Sequence, residues 1–404
     1  MSICNCRTVT SYHPTGILPE SGRIGTWVGR VWVPSERASN GIAGPRVVTV
    51  RDGQVRTTVY PTMSTLINES GSIDLEDSPG DRVGQLDEIV ENSFFSNRAD
   101  HLVEETKVVL LAPNDILATK ACGVTFVRSL LERVVEEKAQ GDARKAGEIR
   151  GIILETLGED LAKVVPGSPE TKVLKNRLVE AGVWSQYLEV GIGKDAEVFT
   201  KHQPMASVTW GNQIGVLPSS HWNNPEPEVV LAVSNQGEIR GATLGNDVNL
   251  RDYEGRSALL LGEAKDQNGS CSIGPFIRLF DKTFEPSDIT RMEVELQITG
   301  EDGYYTLGKN RMREISRSPS SLVAQTIGDH HQYPDGLMLF LGTMFAPTED
   351  RDGKSEGFTH HVGDRVEIAS EPLGRLVNWV NTTDAIPRWE YGVSDLIQFL
   401  VRSR

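Results

Sequence analysis

Residues 224–247 read NPEPEVVLAVSNQGEIRGATLGND and predict a β-hairpin. The apolar run Val229–Val233 is rich in β-branched residues, which are typical of a strand. Ser234–Glu238 contains Ser, Asn and Gly, the residues that favour a turn, so the chain is expected to return along Ile239–Asp247.

Three carboxylates are expected to converge on this hairpin. Glu226 and Glu228 are two residues apart, so both project from the same face of a strand. A hairpin centred on Gln236–Gly237 sets Asp247 opposite Glu226, at the spacing of about 5 Å that separates cross-strand neighbours. Carboxylate oxygens are the ligands preferred by Mg²⁺, Mn²⁺ and Ca²⁺. The pattern predicts a divalent-metal site or, because a Glu-x-Glu pair is common, a solvated acidic edge.

The rest of the chain predicts an α+β fold in which strands dominate the last two hundred residues. Short β-branched runs bounded by Gly, Pro and Ser mark the first hundred residues, and further strands are predicted after residue 190. We therefore expect a small N-terminal β-rich domain over residues 1–105 and a larger domain over residues 106–404.

A helical segment is predicted between these strand-rich parts, over residues 126–182. Apolar residues recur there at helical spacing. The charges of its first helix, such as Glu132, Arg133 and Glu136, are interpreted as a solvated face.

Composition limits the classes of protein that this chain can belong to. Its 404 residues carry 41 Lys and Arg against 56 Asp and Glu, a net charge of −15. This balance argues against a nucleic-acid partner, which needs a basic face. No apolar stretch approaches the ~18–20 residues that span a bilayer, and the first residues lack the pattern of a signal peptide. We expect a cytoplasmic protein with no membrane partner.

Two further segments carry groups suited to an anionic ligand. Lys265 opens a glycine-bearing loop, and is either a solvated surface charge or, beside a metal site, a cation suited to an anionic substrate. Gly342 and Thr343 follow an apolar strand. They either offer a backbone N–H and a hydroxyl to a carboxylate or only turn the chain.

These residues together resemble the fumarylacetoacetate hydrolase family, over about residues 105–404. The family binds a divalent metal through a Glu-x-Glu pair and a later Asp, which match Glu226, Glu228 and Asp247, and the family lysine matches Lys265. Within the family the sequence is similar to the sugar-acid dehydratase branch. The matching stretches are Ala112–Asp115, Gly123–Phe126, Trp184–Glu189, Glu197–Lys201, His221–Glu228, Gly245–Asp252, Glu254–Ser257 and His331–Gly336.

The resemblance implies a fold, a cofactor and an assembly. The fold is a β-rich, mixed-sheet catalytic domain, here over residues 106–404, that includes the helical segment. The cofactor is Mg²⁺, with Mn²⁺ or Ca²⁺ as alternatives. The family usually dimerises, so a homodimer or a dimer of dimers is expected.

The resemblance also implies a reaction, the Mg²⁺-dependent dehydration of a 2-keto-3-deoxy-pentonate, of the D-xylonate or arabinonate type, to 2,5-dioxopentanoate. Because one fold can host several different reactions, two alternatives stay open. One is hydrolysis of a C–C bond in an acylpyruvate, which needs a base that activates water. The other is a non-catalytic scaffold.

Residue roles follow from the same resemblance. Glu197 is the candidate general base and Lys265 places positive charge near an enolate, although the two roles are exchangeable at this stage. Thr343, Ser270 and Gly274 are the candidates for binding the substrate carboxylate.

Overall fold

A computed structural model describes most of the chain. It covers residues 16–19, 25–71, 73, 75, 80–147, 149–150, 165–180, 184–353 and 357–403. Parts of the predicted N-terminal domain and of the predicted helical segment lie outside these residues. None of the described helices has the length and hydropathy needed to span a lipid bilayer.

Strands and helices contribute similar shares of the regular structure in the described residues. In chain order the strands are β1 (Trp27–Val33), β2 (Gly44–Arg51), β3 (Gln54–Thr57), β4 (Arg82–Gln85), β5 (Val109–Leu111), β6 (Ala118–Cys122), β7 (Val198–His202), β8 (Gln213–Val216), β9 (Asn223–Asn224), β10 (Pro227–Val233), β11 (Ile239–Asp247), β12 (Asn249–Leu250), β13 (Cys271–Ile273), β14 (Phe276–Leu279), β15 (Glu293–Thr299), β16 (Tyr305–Arg311), β17 (Leu337–Phe340), β18 (Arg365–Ser370) and β19 (Gly374–Thr382).

The helices are mostly short. They are α1 (Met63–Ile67), α2 (Leu86–Asn92), α3 (Val127–Ala139), α4 (Pro169–Glu180), α5 (Gln186–Ile192), α6 (Arg251–Glu254), α7 (Leu261–Lys265), α8 (Pro286–Arg291), α9 (Pro319–Thr326) and α10 (Val393–Arg402). Residues 143–147 and 149–150 are also helical. Single 3₁₀ turns occur at Ser35–Arg37, Phe95–Asn97, Leu102–Glu104, Ala258–Leu260 and Met312–Glu314.

The strands form two large sheets and a short ribbon. The larger sheet has the order β4-β3-β2-β1-β14-β11-β10-β17-β6-β7, with β13 beside β11 and β5 beside β1, and the smaller has the order β16-β15-β18-β19-β8. The ribbon joins β9 to β12. Strand pairing is mainly antiparallel, but β17 pairs with β6, and β19 with β8, in parallel. The predicted α+β fold with mixed sheets is therefore confirmed.

Strand β10 is buried on both faces because its alternate residues enter two different hydrophobic cores. Val229, Leu231 and Val233 belong to the core that also contains the apolar residues of β15 and β18 in the smaller sheet. Val230 and Ala232 belong to a second core, which includes residues of β17. This double burial explains why the sequence of the strand is a continuous apolar run without alternation.

The predicted hairpin is confirmed by the pairing of β10 with β11. Pro227 lies opposite Asn246, and Glu228 opposite Gly245. One step further, the backbone N–H of Asp247 donates to the carbonyl of Glu226 at 3.0 Å, as the centre of the turn predicted.

Helix α3 corrects one sequence-based interpretation. Two of the charged side chains expected on a solvated face are buried, since Arg133 is 8% and Glu136 2% exposed. Glu132 is partly exposed, and Lys138 of the same helix is exposed. The apolar side of the helix, including Leu130 and Val134, packs in a third core with α4 and α5. Its charged side faces the acidic hairpin through Arg133. For Arg133 and Glu136 the interpretation was wrong, because the acidic hairpin covers this part of the helix.

The first strands of the chain continue the sheet of the hairpin. Strand β1 pairs with β2 along one side, and along the other side its first residues pair with β14 and its later residues with β5. Arg30, on β1, donates to the carbonyls of Ala112 and Asn114. The division of the chain at residue 105 stays a prediction, and the strand pairing across it is extensive.

Candidate metal centre

The three predicted carboxylates lie together in the interior. Glu226, Glu228 and Asp247 are each 1–2% exposed. Each offers one oxygen, and these oxygens lie within 4.8 Å of one another. The alternative of a solvated acidic edge is wrong, because the start of β10 is covered by other segments of the chain. We call these three residues the acidic triad.

Lys265 contacts two members of the acidic triad. Its Nζ donates to Glu226 Oε2 at 2.6 Å and to Asp247 Oδ2 at 2.9 Å. Lys265 ends helix α7 and is 2% exposed, which excludes the alternative of a solvated surface charge. Burial opposes the charge of this lysine, but the carboxylates of Asp247 and Glu226 outweigh that effect and raise its pKa above the usual value. The ammonium group is therefore kept protonated.

The loop after β17 supplies two more donors. The N–H of Gly342 donates to Glu228 Oε2 at 2.7 Å. Thr343 Oγ1 lies 2.8 Å from Glu226 Oε2 and 3.2 Å from Glu228 Oε1, and its single proton is donated to one of them at a time. Both groups thus meet carboxylates of the triad, and the contact of Thr343 with a substrate carboxylate stays a prediction.

Helix α3 adds a guanidinium group to the site. Arg133 Nη2 donates to Glu226 Oε1. Arg133 Nη1 donates to Glu136 Oε2 at 2.7 Å and lies 2.6 Å from Glu254 Oε2. Glu136 in turn accepts from Arg251 Nε at 2.6 Å. A buried network of alternating charges thus connects the helix to the triad.

A second buried lysine approaches the triad from β7. Lys201 Nζ lies 2.8 Å from Asp247 Oδ1, although the geometry is not that of an aligned hydrogen bond. It also donates to the carbonyls of Val248, at 3.3 Å, and of Lys265. Lys201 therefore contacts both a triad carboxylate and the backbone that carries the other buried lysine.

Two triad carboxylates have opposite pKa shifts. Burial disfavours the ionised form of Glu226, but Arg133 and Lys265 overcome this and lower its pKa to about 2. For Glu228, burial and the negative charges of Asp247 and Glu226 raise the pKa well above its usual value. A group of clustered, hard oxygen donors with excess negative charge fits a divalent cation such as Mg²⁺, which would relieve this repulsion.

Glu197 lies at the edge of the same electrostatic environment. It immediately precedes β7 and is partly buried. Burial raises the pKa of its carboxyl group above 4.5, Arg133 and Lys265 lower it, and Glu226 adds to the rise. A Cβ atom at Gly123 would lie 1.9 Å from Glu197 Oε2, so the glycine makes room for this side chain. Among the described residues, none hydrogen-bonds to its carboxylate.

The other two predicted substrate-binding residues have structural partners. Ser270 Oγ donates to the carbonyl of Lys265 at 2.8 Å, and Ser270 N donates to the carbonyl of Gln267 at 3.0 Å. The N–H of Gly274 donates to the carbonyl of Leu244 at 3.0 Å. These bonds hold the loop between α7 and β14, and a role in substrate binding stays a prediction for both residues.

A narrow cleft between α3 and the loop after β17 reaches Glu226 of the triad. Among its lining residues are Arg128, Ser129, Arg133, Glu226 and Thr343.

Sequence reasoning missed three residues that contact the site or its network, Arg133, Lys201 and Glu254. Lys201 and Glu254 lie within stretches that matched the dehydratase branch, so their signal was present but had no assigned role. Arg133 gave no such signal, because charges three residues apart on a helix are typical of a solvated face.

Comparison with known proteins agrees with this geometry. Residues 197–381 match the family model described as fumarylacetoacetate hydrolase C-terminal. That range contains Glu197, the acidic triad, Lys265 and Thr343, whereas Arg133 lies outside it.

Two curated proteins are similar to parts of the chain. One is a probable 2-keto-3-deoxyxylonate dehydratase of Haloferax volcanii, 33% identical over 203 residues, which are 50% of this chain and 66% of that protein. The other is a 2-dehydro-3-deoxy-D-arabinonate dehydratase of Saccharolobus solfataricus, 31% identical over 181 residues, which are 45% of this chain and 57% of that protein. The matches thus span less than two thirds of either relative.

A solved structure shares the fold. It is described as 2-keto-3-deoxy-D-arabinonate dehydratase complexed with magnesium and 2,5-dioxopentanoate, and its TM-score is 0.58 at 20% identity over 88% of this chain and 99% of that chain. Sequence match, fold and the placement of the acidic residues agree, and the chain belongs to the fumarylacetoacetate hydrolase family.

Proposed function

We propose that this protein is a Mg²⁺-dependent hydro-lyase that removes water from a 2-keto-3-deoxy-pentonate, of the D-xylonate or arabinonate type, in sugar-acid catabolism. The product is 2,5-dioxopentanoate. The observation that carries the proposal is the buried acidic triad with a protonated lysine in direct contact and a partly buried glutamate nearby. The names of the two curated relatives support this reaction class.

The acidic triad would hold the divalent cation. Three carboxylate oxygens from Glu226, Glu228 and Asp247 suit Mg²⁺, and Mn²⁺ or Ca²⁺ take the same kind of donor. The bound cation supplies Lewis acidity toward the carboxylate and keto oxygens of a 2-keto acid.

Lys265 acts as a fixed positive charge in this proposal. Its raised pKa keeps it protonated, so it stabilises the negative charge that develops on the keto oxygen when the C3 proton leaves. A lysine that stays protonated cannot accept the proton, which supports assigning the role of general base to Glu197.

Glu197 accepts the C3 proton. Without a hydrogen bond to other described residues, its carboxylate is available to a substrate, and its raised pKa brings it closer to neutral pH than that of an ordinary glutamate. The C4 hydroxyl then leaves with a proton as water, which gives a C3=C4 double bond conjugated with the keto group. Loss of a proton from C5 and addition of one at C3 give the C4=C5 enol, and its tautomerisation gives the aldehyde of 2,5-dioxopentanoate.

The test is turnover of both pentonate epimers with the purified protein. We expect 2,5-dioxopentanoate to form with Mg²⁺ and its formation to stop with EDTA. Lys265→Met should abolish turnover, whereas the same change at the exposed Lys309 should not. Metal-independent turnover, or none with either epimer, refutes the proposal.

The same assay separates the alternatives. Release of pyruvate from an acylpyruvate, without dehydration of a pentonate, would identify a C–C hydrolase. Binding of Mg²⁺ with no turnover of either substrate class would favour a scaffold.

We also propose that the protein assembles as a homodimer or a dimer of dimers. Size-exclusion chromatography with light scattering measures this directly, and a monomer at micromolar concentration would contradict it. The cytoplasmic location stays a prediction.

A further inference from the structure

Glu226 has different partners on its two carboxylate oxygens. Oε2 accepts from Lys265 and from Thr343, which also contact Asp247 and Glu228 respectively. Oε2 is therefore the oxygen that faces the rest of the triad. Oε1 accepts from Arg133 Nη2.

The guanidinium of Arg133 is itself held in place. Glu136 and Glu254 accept from or contact its Nη1, on the side away from the triad. Arg251 fixes Glu136 through its Nε and Glu132 through its Nη2 at 3.2 Å. With partners on several sides and only 8% of its surface exposed, Arg133 has little freedom to reorient.

We propose that Arg133 is a positioning residue for the metal ligand Glu226. It engages Oε1, fixes the plane of the carboxylate, and leaves Oε2 directed at Glu228 and Asp247. The inference rests on the proposed function to the extent that Glu226 binds the cation. It gives a role to helix α3, which lies outside the residues that match the family model.

Removal of Arg133 should change the metal affinity in opposite directions for two possible roles of this residue. A positive charge near a cation site repels the cation, so an arginine that acted only as a charge would weaken metal binding, and its loss would strengthen it. An arginine that positions a ligand has the opposite effect, because its loss lets the ligand reorient.

The experiment is titration of the full-length protein with Mn²⁺ and Mg²⁺, by calorimetry and without substrate. We expect Arg133→Met to raise the Kd about 10–100-fold, the range found when groups that orient metal ligands are removed. Arg133→Lys should give a smaller, severalfold rise, because lysine keeps the charge and lacks the planar fork of donors.

Arg351→Met is the matched control. Arg351 is also a buried arginine that pairs with two carboxylates, Asp302 and Asp364, and within the described residues it makes no contact with the triad. Its loss should leave the Kd for Mn²⁺ within twofold of the wild-type value, so that a general effect of removing a buried cation is accounted for.

Each outcome bears on the inference. Unchanged or tighter Mn²⁺ binding by a folded Arg133→Met protein overturns it, without touching the proposed function. If that variant does not fold, Arg133→Lys decides, and an unchanged Kd overturns the inference. A wild-type protein that binds neither cation refutes the proposed function and removes the basis of the inference with it.

Discussion

At the scale of single residues, Glu226 connects distant parts of the chain. Its carboxylate accepts hydrogen bonds from Arg133 on α3, from Lys265 at the end of α7 and from Thr343 after β17. Three charged or hydroxyl donors from separate elements restrict a side chain more than packing alone, because charge-assisted hydrogen bonds are directional and strong.

Glu226→Gln tests the metal site most directly. The amide keeps the shape of the side chain, loses its negative charge and presents a donor where Lys265 and Arg133 also donate. We expect Mg²⁺ binding to weaken at least ~100-fold by calorimetry, the upper end for loss of a group that supports a metal. Glu238→Gln, at an exposed glutamate of the same hairpin, should leave binding unchanged. Tight Mg²⁺ binding by the Glu226 variant would refute the assignment.

Glu197→Gln tests the proposed base. We expect kcat to fall about 10²–10⁴-fold, the usual contribution of a general base, while the Kd for Mg²⁺ changes little. The base works ionised and its pKa is raised, so wild-type activity should decline as the pH falls through a value above 4.5. A pH–rate profile measures this. A variant with wild-type kcat, or an acidic limb at or below pH 4.5, would contradict the role.

The acidic triad and Lys265 could be predicted from sequence, whereas the contacts of Arg133 and Lys201 with the triad could not. The triad lies on one hairpin, so local spacing and a turn signal suffice to bring it together. Arg133 is 93 residues away from its partner Glu226 along the chain. Periodicity describes one helix at a time and carries no information about which element will cover its charged side.

At the scale of elements, the hairpin β10–β11 determines where the site lies. Its register follows from the position of the turn, and a shift of one residue would place the two glutamates on the opposite face of the strand. The continuous apolar run predicted a strand, but it did not indicate that two different cores would cover the two faces of that strand. The charged helix α3 was misinterpreted for the same reason, since burial of a polar face depends on tertiary packing.

The loop after β17 can be tested through Gly342. Its φ of +101° is unfavourable for other residues, and a Cβ atom would lie 2.0 Å from Thr125 Oγ1. We expect Gly342→Ala to lower the free energy of unfolding by about 1–3 kcal/mol and to weaken Mg²⁺ binding, because the N–H that donates to Glu228 must move.

Denaturant unfolding and calorimetry measure the two effects. Gly303→Ala is the control, since Gly303 has a φ of +87° and open space where a Cβ atom would be. Gly303→Ala should lower the free energy of unfolding through backbone strain alone, and Mg²⁺ binding should be unaffected. Equal Mg²⁺ affinities for the Gly342 variant and the wild type would contradict a role for this loop in supporting Glu228.

At the scale of the whole molecule, the N-terminal strands are part of the same sheet as the site. The seven residues of β1 are all buried, and β1 lies between β14 and β2. We expect a chain that begins at residue 106 to lose its cooperative thermal transition. Strand β14 would lose its neighbour β1 and expose a hydrophobic edge. Circular dichroism and size-exclusion chromatography test this. A soluble, folded 106–404 fragment that binds Mg²⁺ would instead support the predicted division at residue 105.

The net charge of −15 does not describe the electrostatic field at the cleft beside Glu226. Arg128, Arg133 and Arg251 line it, and Lys265 lies beneath the triad. Glu132, Glu136 and Glu226 line the same cleft, so three arginines balance three carboxylates there and the cleft lacks the acidic excess of the whole chain.

The arrangement of the site has a consequence for the order of folding. The triad forms within a single hairpin, which closes in microseconds, whereas Arg133 and Thr343 reach Glu226 from 93 and 117 residues away. Early in refolding the carboxylates therefore approach one another before these partners arrive. A divalent cation would screen that repulsion, so the ion proposed for chemistry would also speed the closure of the chain around it.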